Sequence, residues 1–125
     1  MRVMVFVKAT EDSEKGLDLS DPRFQQLMAD MGKFNQDLIN AGILNAADGA
    51  GLKPSSTAKR VAFDGESRTV IGGPFAHPRE LVAGFWIWTV KDMDEAVEWV
   101  KRCPNPMFGP SEIEIRPFYE MEDFQ

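Results

Sequence analysis

The ten residues Leu81 to Val90, LVAGFWIWTV, restrict the fold of this chain more than any other stretch. Side chains on a strand alternate between the two faces of its sheet, so Phe85 and Ile87 project one way and Trp86 and Trp88 the other. Large apolar groups on both sides mean that both faces of the sheet need a cover. Val3 to Val7 carries the same message, because its apolar run is continuous rather than alternating, as in a strand buried on both sides.

The surrounding elements decide how much cover the chain can supply. Asp21 and Pro22 offer an N-cap and a favoured first helical residue, and Gly42 offers a stop. The spacing predicts a helix from Pro22 to Ala41 with Phe24, Leu27, Met28, Met31, Phe34 and Leu38 on one core-facing stripe. Ile43 and Leu44 begin a short second strand, and the Gly-, Ala-, Ser- and Asp-rich segment Asn45 to Ser56 reads as a loop. Lys59 to Phe63 and Ser67 to Ile71 flank Asp64-Gly65, a strong hairpin signal, and this hairpin reads as a solvent-facing insertion. Asp92 and Glu95 start a second helix striped by Met93, Ala96, Val97 and Val100, with Pro104 beyond its end. Glu112 to Phe118 alternates charged and apolar residues, with Ile113 and Ile115 inward.

Strand, helix, strand, inserted hairpin, strand, helix, strand is the order of an α+β, ferredoxin-like βαββαβ sheet. Two helices cover one face of such a sheet. The second apolar face therefore predicts a homodimer, in which another copy of the chain supplies the missing cover. At 125 residues the chain has the size of one domain, spanning 1–125.

A net charge of −6 argues against nucleic acid, whose phosphates reward clustered Lys and Arg. Only Lys53 to Arg68 has a basic excess (Lys53, Lys59, Arg60, Arg68), and this reads as a solvated hairpin. The single cysteine, Cys103, forms no internal disulfide, which fits a reducing compartment and predicts a cytoplasmic protein. Val3 to Val7 is too short for the apolar core of a signal peptide, and Leu81 to Val90 too short to span a membrane.

Few segments carry chemistry. Gly49 to Ser55 has the look of a phosphate loop but lacks its Gly-Lys-Ser/Thr ending, and Pro54 interrupts the helix such a loop would feed. One His and one Cys, far apart, make no metal cluster, so neither a metal nor a cofactor is expected. Cys103 has no neighbouring His to activate it and reads as structural. Gly72 to Glu80 stands apart: two glycines and two prolines shape an irregular backbone just before the best strand, followed by an imidazole, a guanidinium and a carboxylate. Loops on rigid sheets often hold sites, so this loop is expected to border a small-molecule cleft between the sheet and the helices. Gly73, Pro74, Phe75 and Arg79 are its expected ligand contacts, with Arg79 as an anion clamp. His77 is the expected acid or base, because its unperturbed pKa lies near neutrality, with Glu80 or Asp64 as the orienting carboxylate.

Gly73-Pro74-Phe75-Ala76, Arg79-Glu80, Gly84-Phe85-Trp86-Ile87-Trp88, Glu95-Ala96 and Trp99 through Arg102-Cys103-Pro104 together resemble the DGPF branch of the YCII-related family. Leu52-Lys53-Pro54 and Glu114-Ile115-Arg116-Pro117 fit that branch as well. The resemblance implies a dimeric α/β-barrel and a family without a settled general activity. Some of its members look like small enzymes with a His and Asp pair. DGPF members often occur beside extracytoplasmic-function sigma factors, which implies an alternative: a non-catalytic regulatory or interaction protein using the acidic tail Glu120 to Asp123 and the hairpin Arg60 to Ile71 as contact surfaces. The chain departs from the family pattern at Gly72, where the motif has Asp, and at His77-Pro78. Its first helix also lacks the family's histidine, so the His and Asp pair does not carry over.

Overall fold

A computed structural model describes residues 1–125 as strand β1 (Arg2–Lys8), helix α1 (Pro22–Asn40), β2 (Leu44–Gly51), β3 (Lys59–Asp64), β4 (Ser67–Gly72), β5 (Val82–Thr89), helix α2 (Met93–Lys101) and β6 (Ile113–Pro117). Short 3-10 turns connect several of them. Four strands form one antiparallel sheet in the order β2-β5-β1-β6, while β3 and β4 pair only with each other. This is the ferredoxin-like order with a hairpin inserted between its second and third strands.

Local chemistry fixes both helices. The Asp21 carboxylate accepts from the Arg23 amide at 2.8 Å, and Pro22 opens α1. At the other end Gly42 takes φ +76°, the Gly42 amide donates to the Ile39 carbonyl and the Ile43 amide to that of Leu38. These two bonds form a Schellman stop, which needs a residue that tolerates the left-handed region. At α2 the Asp92 carboxylate accepts from the Glu95 amide at 2.9 Å, and Glu95 reaches back to the Lys91 amide at 2.8 Å.

Both helices lie on one face of the sheet. Val3, Val5 and Val7 of β1 and Trp86 and Trp88 of β5 pack there against Phe34, Leu38 and Ala96, with Ile113 and Ile115 of β6 at the margin. The Phe34 ring sits centrally, its centroid 6.0, 6.3 and 6.4 Å from those of Trp86, Trp88 and Trp99. Contacts of this edge-on and tilted kind add to the burial energy itself. The Trp86 indole donates to the Asn35 side chain at 2.9 Å, whereas the Trp88 indole N–H, fully buried, has no acceptor.

On the opposite face Phe85 stands across from Phe6 and Ile87 across from Met4, all four half-buried and none in the core cluster. Glu114 and Arg116 of β6 continue the same face, where Glu114 lies 3.9 Å from Lys8 and 3.5 Å from Arg116. An apolar centre with a charged margin results.

Three local expectations are corrected. The segment after Leu44, read as a loop, continues as a strand to Gly51, because its backbone pairs with β5 at the sheet edge. Its small residues serve that pairing: a Cβ on Gly49 would come within 2.8 Å of the Trp86 ring. Met28, placed on the core stripe of α1, is 49% exposed, and Phe24 and Leu27 are only half-buried. The core holds only the later turns of the helix, so the stripe runs on past it. In the hairpin, Asp64 pairs with Ser67, so the turn residues are Gly65 and Glu66, with Gly65 at φ +57°. No helix is long and apolar enough to cross a membrane.

Candidate functional site

The antiparallel order brings the C-terminal ends of β1 and β2 and the N-terminal ends of β5 and β6 to one end of the sheet. The loops that matter are gathered there. Thr10 and Ser13 lock the turn after β1: the Thr10 amide donates to the Ser13 hydroxyl at 2.9 Å, the Ser13 amide to the Thr10 hydroxyl at 3.1 Å. The next residue, Glu14, accepts from both the amide and the hydroxyl of buried Ser55, whose hydroxyl oxygen in turn accepts from the Phe75 amide at 3.0 Å. One carboxylate thus joins three loops distant in sequence. Gly73 lies against this junction, and a Cβ there would overlap the Ser55 carbonyl oxygen.

The predicted site residues take distinct places. Gly73 and Pro74 form the tight passage beside Ser55, and the Phe75 ring lies beneath the Arg60 guanidinium, 3.7 Å from its centroid. His77 adopts a left-handed backbone, φ 60° and ψ 67°, which few non-glycine residues take and His more readily than most. It heads a 3-10 turn, Pro78–Glu80, and its imidazole is exposed without a hydrogen-bond partner. The Glu80 carboxylate likewise has none; the Glu80 amide donates to the His77 carbonyl, and the Glu80 carbonyl accepts from Lys8 Nζ at 3.2 Å. Asp64, the other orienting carboxylate considered, lies on the exposed hairpin, separated from this loop by all of β4.

Of these residues only Arg79 lines either of the two main cavities. That cavity has a volume of about 460 Å³, and Thr10, Glu11, Asp12, Lys15, Arg23 and Phe108 are among its other walls. Arg79 Nη1 donates to the Pro110 carbonyl at 3.1 Å, which fixes the guanidinium and leaves its other donors free of protein partners. Lys15 forms no ion pair. Arg23 is held differently, 2.8 Å from the Asp21 carboxylate and stacked on the Phe108 ring at 4.4 Å. Its hydrogen bond to Asp21 lowers that carboxyl's pKa and raises its own. Such a cavity can hold a small anion by charge-assisted hydrogen bonds.

Sequence reasoning named Arg79 and did not name Thr10, Lys15, Arg23 or Phe108, which line the same cavity. The available signal was topological: in a βαββαβ sheet the loops after β1, before β5 and before β6 must share one end. A second groove of about 350 Å³ runs between the helices over Phe34 and Trp99, and contains none of the predicted residues. Cys103 packs against the core, and burial pushes its thiol up to about 12, so it stays protonated and inert at neutral pH. No three His, Cys, Asp or Glu side chains converge as a metal site would require.

Comparison with known proteins agrees with the fold and gives no activity. The chain is 26% identical over 93 residues to an uncharacterized protein of Rhizobium meliloti (strain 1021), an alignment covering 74% of this chain and 73% of that one. The model of the YCII-related domain matches residues 1–121, nearly the entire chain, and the protein belongs to the YCII-related family.

Proposed function

We propose that the protein binds a small carboxylate- or phosphate-bearing molecule in the cavity lined by Arg79, and that it does so as a homodimer. The observation that carries the binding reading is Arg79 itself: anchored on the Pro110 carbonyl, it turns otherwise unused guanidinium donors toward a polar cavity shared with unpaired Lys15. Glu11 and Asp12 line the same cavity, and the three cations Lys15, Arg23 and Arg79 outnumber them. The homodimer reading draws on the apolar face of Met4, Phe6, Phe85 and Ile87, which no helix covers.

For turnover, the proton-transfer role falls to His77, two residues from Arg79 on the same loop; Glu80 makes no hydrogen bond to it, and Gly73, Pro74 and Phe75 shape the loop beside Ser55 rather than the cavity wall. The left-handed backbone at His77 favours this role, since strained positions gather at functional sites. Calorimetric titration with citrate, acetate and phosphate monoesters tests binding. Arg79→Ala should weaken it about 10- to 100-fold, the worth of a charged hydrogen bond. Equal binding by wild type and variant would remove the site from this cavity. For a ligand that is turned over, His77→Ala should cost about 10² to 10⁴ in rate.

One observation favours a second reading, a regulatory partner of an extracytoplasmic-function sigma factor. The tail displays Tyr119, Met121 and Phe124, all largely exposed, among acidic residues. Co-purification of a tagged sigma factor with wild type, lost on Tyr119→Ala with Phe124→Ala, would support it.

A further inference from the structure

The β3-β4 hairpin is amphipathic yet buries neither face. Residues paired across its strands share a face, so Val61, Val70 and Phe63 lie on one side with Arg68, and Arg60, Ile71, Ala62 and Thr69 on the other. On the first side Val61, Val70 and Phe63 are 52%, 65% and 72% exposed. A lone two-stranded hairpin is marginal in water unless its apolar face is packed. Its base is nonetheless firmly held, by Arg60 on Phe75, by the Gly73 amide on the Ala58 carbonyl and by the Glu14–Ser55–Phe75 junction. A rigidly mounted arm with a bare apolar face is built to meet something.

Charge and topology indicate what. The hairpin Lys59–Gly72 holds three cations and two acids, so it is +1 in a chain of net −6, and the remainder carries −7. The arm therefore complements the body of a second copy. It leaves the sheet at the β2 edge, at the same end as the cavity, whereas β6 forms the opposite edge. Two copies stacked open face to open face about a twofold axis along the strands keep that end in common and lay the β2 edge of one over the β6 edge of the other. The arm then meets the segment preceding β6, where Phe108 is 43% exposed beside Glu11 and Asp12, with Glu112 four residues further along the chain. The alternative axis, across the strands, carries the arm to the start of β2, where no large apolar side chain is exposed to receive it.

We infer that each hairpin closes over the cavity of a second copy, with Val61, Phe63 and Val70 against Phe108 and the arm's cations toward Glu112 and the acidic loop after β1, so that each binding site is completed by its neighbour. This rests on the homodimer reading above. Two populations of full-length chain in a Cys103→Ser background, one Phe63→Cys and one Phe108→Cys with different tags, are mixed and oxidised with diamide. A 63–108 disulfide in most of the mixed dimers is expected, with little in a Phe63→Cys and Met121→Cys mixture. Sedimentation of the unoxidised mixtures separates the two ways of failing. A dimer without the 63–108 disulfide, or one cross-linked to position 121 instead, overturns the arm's placement and leaves the homodimer standing. A monomer overturns both.

Discussion

One strand shows two solutions to the same problem. On the helix side of β5, Trp86 and Trp88 meet Phe34, Trp99 and Leu38, and Trp86 also finds an acceptor in Asn35. On the other side Phe85 and Ile87 meet only their cross-strand neighbours Phe6 and Met4, inside a margin of Lys8, Glu114 and Arg116. The first face is completed by the chain's own helices, whatever the protein concentration. The second has the anatomy of an interface, apolar at the centre and charged at the border. The difference teaches that apolar alternation in a strand reports how many faces need covering, and that counting the available helices reports how many the chain can cover alone.

Substitutions on the two faces should behave differently. Trp88→Ala removes a side chain with no exposure and should cost about 3–5 kcal/mol, read by chemical denaturation. Its destabilisation should be the same at low and high protein concentration. Asn35→Ala should cost less, about 1–3 kcal/mol, because it leaves the Trp86 indole N–H without its partner. Asn35→Asp, which keeps an acceptor, should recover much of that loss. Failure of either variant to destabilise would mean that the helix-covered face is not the core.

The smallest effect lies at the margin of the covered face. Burial raises the Cys103 thiol from its ordinary value to about 12, so the folded state holds that proton where the unfolded chain releases it. Stability from this group is intact below pH 9 and declines as pH rises from 9 towards 12. Denaturation midpoints between pH 8 and pH 11 should therefore fall less steeply in Cys103→Ser than in wild type. Identical slopes would place the thiol in solvent.

Much of this fold was legible because its elements announce themselves locally. Asp21-Pro22, Gly42, Asp92 and the Asp64-Gly65 region mark boundaries through backbone chemistry that acts within four residues. The second half of β2 was not legible, because nothing in Asn45 to Gly51 favours a strand until Trp86 lies alongside and demands a glycine at position 49. Met28 misled for the reverse reason: helical spacing shows which residues share a stripe and not where the core beneath it ends. In the candidate site, Arg79 was visible because its loop is locally unusual. Thr10, Lys15, Arg23 and Phe108 belong to segments ordinary in sequence and joined only by the topology of the sheet. The clamp of Glu14 on Ser55 spans 41 residues and carries no motif.

The central claim is that the uncovered face of the sheet closes on a second copy, and sedimentation equilibrium at micromolar concentration tests it most directly. Wild type should sediment at twice the chain mass of 14.0 kDa, as an interface burying roughly 1,200 Å² or more requires. Phe85→Asp should sediment at one chain mass while keeping its far-ultraviolet circular dichroism, since the substitution charges the open face and leaves the helix-covered core intact. A wild type that sediments at a single chain mass throughout that range would contradict the account.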